Sequence, residues 1–419
     1  MKHGLADRFA ARPSATRTIT ERRAQFPAPH LRWPQHESDE IDAVTSVLAS
    51  GRVNSLVHGD ECRAFEIEFA AYCEAPFAIS LANGTVALEL ALRALDIGTG
   101  DEVIVPARSF FATASAVVAA GAIPVFADIE LNSHTIDPRS VQRLVNGRTR
   151  AILCVHLAGW PCAMDELDAV ARRHGLWLIE DCAQAHGARY NGRPVGSFGD
   201  AAAFSFCTDK IMSTGGEGGM ILLKDENHWA RAWSYKDHGK DPYKLREPVR
   251  GHGFRYVHDS FGSNMRLTEM QAAIGRVQLR KLPGWLAQRR NNAATLLARL
   301  AGHPLIRLPS IPAHVEHAFY KFYLTLESDA VPLRDQLLAE LNRQGIPAGA
   351  GSCPDMSREA AVWKTCVCDR QVLPVADLIG DRSVMLPVDH LLGAGEMELV
   401  AEALLAALEP ARSSLSWRM

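Results

Sequence analysis

Leu176-Trp177-Leu178-Ile179-Glu180-Asp181-Cys182-Ala183-Gln184-Ala185-His186 is a short apolar run that ends abruptly in two carboxylates. Leu176–Ile179 is too brief for a helix and shows no polar alternation, so it reads as a strand buried on both faces. Glu180 and Asp181 follow at its carboxyl end, where a buried charge is expensive unless something pairs with it. Two readings of Asp181 stay open on this segment alone. It is the N-cap of a following helix, or it is the partner of a cationic ligand group such as a protonated pyridine nitrogen.

Similar apolar runs recur on both sides. Phe77–Leu81, Glu102–Val105, Pro124–Ala127 and Ala151–Val155 precede it; Ala201–Phe206 and Gly219–Leu223 follow. Helical stretches lie between, including Thr85–Leu95 and Phe111–Ala120. The alternation predicts an α/β fold with a mostly parallel sheet covered on both faces. Upstream, Ser38, Asp39 and Glu40 open an amphipathic helix that closes near Gly51, and Phe65–Tyr72 continues as helix. Downstream, Glu269–Leu282 carries Met270, Ile274 and Val277 on one face. A separate long helix around Trp285–Leu300 leads into a smaller α+β unit containing Phe319–Leu326, Leu333–Gln344 and Leu399–Leu408. The expected division is a flexible extension (1–26), a large ligand-binding domain (27–285) and a small C-terminal domain (286–419).

The composition narrows the function. A length of 419 residues, 47% hydrophobic and 22% charged, fits an ordinary globular protein of two domains. A formal net charge of -3 leaves no electrostatic footprint for nucleic acid. No apolar run is long enough to span a bilayer, and the N-terminus lacks a secretory pattern. The start, with Arg8, Arg12, Arg17, Arg22 and Arg23, reads either as a transit-like segment or as an unstructured extension. Nine cysteines are scattered without a CxxC pair, and the one close pair is Cys366 and Cys368. Reduced thiols, a cytoplasmic location and no metal site are expected.

Four segments carry chemistry, each where an element begins or ends, and ligands of open α/β sheets bind at the carboxyl ends of strands. Asn83-Gly84-Thr85 opens a helix, whose free N–H groups suit a phosphate; alone it reads first as a Gly turn with a Thr N-cap. Glu180–His186 supplies Asp181 and Gln184. Phe204-Ser205-Phe206-Cys207-Thr208-Asp209-Lys210 ends a strand with a Lys ahead of apolar Ile211-Met212, where burial would favour a neutral, nucleophilic amine. Thr214-Gly215-Gly216-Glu217-Gly218-Gly219 is a loop able to pass close to a ligand.

In order and spacing these segments resemble the DegT/DnrJ/EryC1/StrS family of pyridoxal-phosphate (PLP) sugar aminotransferases, of fold type I. The resemblance runs from about Phe26 to near the C-terminus. It rests on Asn83–Leu88, Glu102–Phe110, Glu180–Ala188, Phe204–Gly219 and Asn264–Gly275. It implies that Lys210 forms the Schiff base and moves the proton, and that Asp181 pairs with the ring nitrogen. Gln184 would contact the ring hydroxyl, and Phe110 would stack on the ring. Ser205, Gly84 and Thr85 would hold the phosphate, with Asn264 reaching it from the neighbouring subunit of a homodimer. The donor implied is L-glutamate and the acceptor a nucleotide-linked keto-sugar or a keto-cyclitol. His186, Lys236, His238, Arg266, His317 and Tyr320 are candidates for reading that substrate. The sequence departs from the family at Cys207-Thr208-Asp209 and Gly262-Ser263-Asn264-Met265, which puts the pocket wall and substrate identity in question. A sugar dehydratase is one alternative, but the family's 3-dehydratases carry His where Lys210 stands. A non-catalytic PLP-binding regulator is the other.

Overall fold

The computed structural model describes residues 26–28, 32–56, 59–248, 254–365 and 372–415. The extension expected over 1–26, save Phe26, and the Cys366/Cys368 pair lie outside them. Strands in chain order are β1 (Phe77–Leu81), β2 (Glu102–Pro106), β3 (Ile123–Ala127), β4 (Thr149–Val155), β5 (Trp177–Asp181), β6 (Arg189–Tyr190), β7 (Arg193–Pro194), β8 (Ala201–Ser205), β9 (Gly219–Leu223), β10 (Ile306–Arg307), β11 (Val315–Glu316), β12 (Phe322–Leu326) and β13 (Ser383–Leu386).

The central sheet runs β1-β9-β8-β5-β4-β2-β3. The pairs β8·β5, β5·β4, β4·β2 and β2·β3 are parallel, while β9 is antiparallel to both its neighbours. The side chains alternate as the strand period requires. Ile79, Leu81, Val103, Val105 and Ile179 pack on one face with the helix Gly84–Ala94. Ile104, Ile152, Cys154 and Leu178 face the other way. This is the two-faced α/β sheet expected from the sequence.

Past residue 268 the structure differs from the expectation of two helices. Glu269–Leu300 is one helix of 32 residues with Pro283 inside it. Proline in a helix interior removes one hydrogen bond and costs about 3 kcal/mol. The buried residues Ala272, Gly275, Leu279, Leu282, Leu286, Arg289, Ala293, Leu296 and Leu300 keep strict three-four spacing across it. An unbroken stripe packed on both sides of Pro283 holds the helix together.

The helix ends in a second core, where Leu296 and Leu300 meet Phe322 and Leu324 and, from the helix Ala394–Leu415, Met397, Val400, Leu404 and Leu408. A small antiparallel sheet, β10-β12-β13, lies in this core. Tyr323 of β12, with Tyr320 and Lys321 just before it, shares a cleft with residues at or just past the ends of β1, β2, β5 and β8. Among the described residues, no helix is long and apolar enough to cross a membrane.

Candidate active site

The first part of the site is a crossing of three chain segments at the ends of β1 and β8 and the start of β9. Asn83, in extended backbone, accepts from the Val86 N–H at 3.0 Å and caps the helix Gly84–Ala94. The cap is therefore Asn83, and Thr85 stands exposed in the first turn. A Cβ on Gly84 would lie 2.6 Å from the Ser205 Cβ, and one on Gly219 would lie 2.3 Å from the Asn83 carbonyl oxygen. Only glycine lets these backbones meet. The result is a tight concavity of helix N–H groups beside the Ser205 hydroxyl, a donor set that fits a phosphate.

Asp181, the last residue of β5, is 6% exposed. No helix follows it, so the N-cap reading falls. One carboxylate oxygen accepts from the Ala183 N–H at 3.1 Å, the other from the Thr113 hydroxyl at 3.1 Å, and Thr113 in turn meets Ser109 at 3.0 Å. Burial pushes the Asp181 carboxyl above its usual range, against those two bonds and the charge of Lys210. A carboxylate so placed gains most from a cation that enters the cleft.

Beneath it, Glu180 is fully buried. It accepts from the backbone N–H of Gly196, Phe198 and Gly199 at 2.8, 2.9 and 2.7 Å, and its Oε2 lies 3.0 Å from His156 Nε2. Burial opposes its charge, but His156 and these donors hold its carboxyl below the usual range.

Lys210 reaches the same cleft from the loop after β8. Its ammonium lies 3.3 Å from Asp209 Oδ1 and 5.1 Å from the Tyr320 ring centroid. Tyr320 donates its hydroxyl to the other Asp209 oxygen. Lys210 is thus paired rather than isolated in apolar surroundings, as the sequence had suggested. Burial works against the Asp209 charge, yet Lys210 and Tyr320 hold its carboxyl below the usual range.

Gln184 is buried, and its Oε1 accepts from the Ala158 N–H at 2.8 Å, which leaves the amide nitrogen as a donor. The Ala158 carbonyl accepts from the Tyr320 N–H at 2.9 Å, so one turn after β4 braces the Gln184 side chain and the Tyr320 backbone. Phe110 is 67% exposed at the rim. Gly84, Thr85, Phe110, Asp181, Gln184, Ser205, Lys210 and Tyr320 all line one cleft of about 730 Å³.

The other sequence candidates do not line it. His186 is buried between Phe204 and Phe206, and burial pushes its imidazole down to about 3. His317 is stacked on Phe319, accepts from the Phe319 N–H at 2.7 Å and is likewise pushed down to about 3 by burial. Lys236 is buried over the Trp233 ring, and Arg266 donates to Asp237 at 2.8 Å. His238 and Asn264 are exposed, and Asn264 bridges Asp237 through its backbone, outside the cleft of its own chain.

Several cleft residues escaped the sequence reading. Thr113 orients Asp181, Asp209 holds Lys210, and Lys321, Tyr323, Ser352 and Met385 come from segments more than a hundred residues downstream. The hydroxyls and glycines around Asp181 and Ser205 carry no periodic signal, and only the fold brings the later residues near.

Comparison with known proteins agrees with this geometry. Residues 34–405 match the model of the DegT/DnrJ/EryC1/StrS aminotransferase family. The chain is 40% identical over 325 residues to the dTDP-3-amino-3,4,6-trideoxy-alpha-D-glucose transaminase of Streptomyces venezuelae, covering 74% of this chain and 80% of that one. It is 37% identical over 307 residues to the L-glutamine:scyllo-inosose aminotransferase of Streptomyces griseus, covering 72% of each. Its fold is similar to the crystal structure of an aminotransferase from Psychrobacter cryohalolentis, with a TM-score of 0.88, 44% identity, and 91% of this chain and 99% of that one covered. With a buried carboxylate and a lysine facing one cleft at the ends of parallel strands, the chain belongs to the DegT/DnrJ/EryC1/StrS aminotransferase family.

Proposed function

We propose that this PLP-dependent aminotransferase takes the amino group of an amino acid, L-glutamate, and places it on the ketone carbon of a nucleotide-linked keto-sugar. A keto-cyclitol is the second acceptor class, because one relative is named for scyllo-inosose and another for a dTDP-sugar. The observation that carries the reading is Asp181, a carboxylate whose burial opposes its own charge, facing the same cleft as Lys210.

When bound, PLP supplies an electron sink for the carbon that bears the amine. Asp181 would hold the ring nitrogen protonated, with Thr113 fixing its orientation. The Gln184 amide nitrogen would donate to the ring hydroxyl, and Phe110 would cover one ring face. The N–H groups of Gly84 and Thr85, with Ser205, would take the phosphate. Lys210 would bond the cofactor and then carry the proton between the donor carbon and the cofactor, while Asp209 and Tyr320 keep its amine at the reaction centre.

Asn264, exposed and outside its own cleft, supports a homodimer in which it reaches the neighbouring site. The seven described cysteines are all free thiols, which supports a reducing, cytoplasmic setting. The test is a pair of half-reactions. L-Glutamate should convert the yellow cofactor to its amine form, and that form should aminate members of a panel of nucleotide keto-sugars and keto-cyclitols. If no amino acid discharges the yellow form, the reading fails.

A further inference from the structure

Two cationic side chains line the cleft among the described residues, Lys210 and Lys321. Lys210 has Asp209. Lys321 has no hydrogen-bonded or ion-paired carboxylate among the described residues, only the longer-range attraction of Asp209 and Asp389, and its ammonium lies 5.0 Å from the Tyr320 ring centroid. The two ammonium groups thus stand at matching distances from one aromatic ring. Behind this wall Arg289 is buried, bonded to the carbonyls of Phe319 and Tyr320 at 3.2 and 3.3 Å, and adds positive potential. Burial lowers the Lys321 pKa, and the charges of Arg289 and Lys210 act in the same direction against the weaker pull of Asp209 and Asp389. A partly desolvated ammonium without a directly bonded counter-ion is stabilised by an anion delivered to it.

We infer that Lys321 binds the α-carboxylate of the amino donor. The inference rests on the proposed function and adds a specificity-determining residue to it. The donor nitrogen has to reach the carbon that Lys210 serves, and the α-carboxylate is attached to the carbon next to that nitrogen. Its charge therefore arrives close to Lys210, on the Tyr320 wall. The phosphate of PLP belongs at the Gly84–Ser205 end, and the diphosphate of a nucleotide sugar is separated from its ketone by the sugar ring. The α-carboxylate is also the one anion that every amino-acid donor shares, so Lys321 serves donors whatever their side chain.

The test uses (S)-2-hydroxyglutarate, which has both carboxylates and no amine, together with its C1 and C5 monoamides. Binding to the holoenzyme is measured by calorimetry. Amidation at C1 should weaken binding to the wild type roughly ten- to hundredfold, the scale of a lost charge-assisted hydrogen bond, and amidation at C5 should matter less. Lys321→Met should remove the C1 effect and Lys321→Arg should keep it; Lys321→Gln replaces the Met variant if that one fails to retain the cofactor colour. A C1 effect that persists without the ammonium overturns the inference. So does a wild type that binds none of the three ligands or ignores C1 amidation. Loss of the yellow form with L-glutamate is read separately, so failure of the proposed function and failure of this inference are distinguishable.

Discussion

Asp181→Asn keeps the shape of the side chain and removes its charge. The folded protein should tolerate it. The Asn carbonyl oxygen can still accept from the Ala183 N–H, and the Thr113 hydroxyl can reverse its role toward the new amide, with Ser109 as its second partner. A rearranged hydrogen bond of this kind costs about 1 kcal/mol. The loss to chemistry is larger. A cation hydrogen-bonded to a carboxylate gains roughly 5 kcal/mol at an effective dielectric near 20, or about four pKa units of the bound ring nitrogen. The ring then loses its proton near neutrality and with it most of its power as an electron sink. The donor half-reaction, followed by rapid mixing as loss of the yellow form, should slow by roughly three orders of magnitude or more, while the melting temperature moves by a few degrees. The same carboxylate sets a pH dependence. Its folded pKa in the cofactor-free protein is raised above 3.8, so its contribution to stability is full below that value and is lost as pH rises through the raised pKa. The bound cation reverses this penalty, so the melting gap between holo and apo protein should widen from acid pH toward neutrality. An Asn variant with the wild-type rate and an unchanged gap would refute the reasoning.

Three further outcomes are expected. Borohydride reduction should leave the cofactor bonded to Lys210, and Lys210→Ala should abolish turnover; a mass-spectrometric adduct on Lys224 or Lys236 would contradict the assignment. Mixing Lys210→Ala with Asn264→Ala should restore activity toward one wild-type site per heterodimer. If exchange is confirmed by mass while activity stays absent, and the Asn264→Ala homodimer is itself impaired, the sites are not shared. Glu180→Gln places an NH₂ group among donors that already fill both carboxylate oxygens, and urea unfolding should register a loss of about 3 kcal/mol. An unchanged midpoint would show that these bonds carry little of the stability.

The strands of the central sheet were legible because each is a bounded apolar run: Phe77–Leu81 is β1 at both ends, and Leu176–Ile179 overlaps β5 up to its carboxylates. Pro283 misled the helix reading, because a local breaker outweighs the buried stripe in the sequence and the packed core reverses that order. In the site, the motif residues Gly84, Asp181, Gln184, Ser205 and Lys210 do converge on one cleft. His186 belongs to the same motif but turns into the core, since a neutral imidazole against Phe204 and Phe206 is a packing group. Lys236 and Arg266 looked like pocket cations; the structure places Lys236 in the interior and commits Arg266 to Asp237. Lys321 went unnoticed although its neighbour Tyr320 was a candidate: no motif marks the lysine itself, and Lys210, the other ammonium near the Tyr320 ring, is 111 positions away.

Ala158 has a consequence for how this enzyme can move. A single residue with φ of 56° gives its N–H to Gln184 and its carbonyl to the Tyr320 N–H. The cofactor bed and the wall that carries Tyr320 are therefore riveted together at that corner, and Gly159 repeats the link by accepting from Ala318. The opposite lip, at Gly351, Ser352 and Met385, is tied to the central sheet as well, because Arg108, just past β2, donates to the Ala350 carbonyl at 3.3 Å and to the Ser383 hydroxyl at 2.8 Å. The corner at Ala158 bears directly on Gln184 and Tyr320, so substitutions there should disturb every substrate alike.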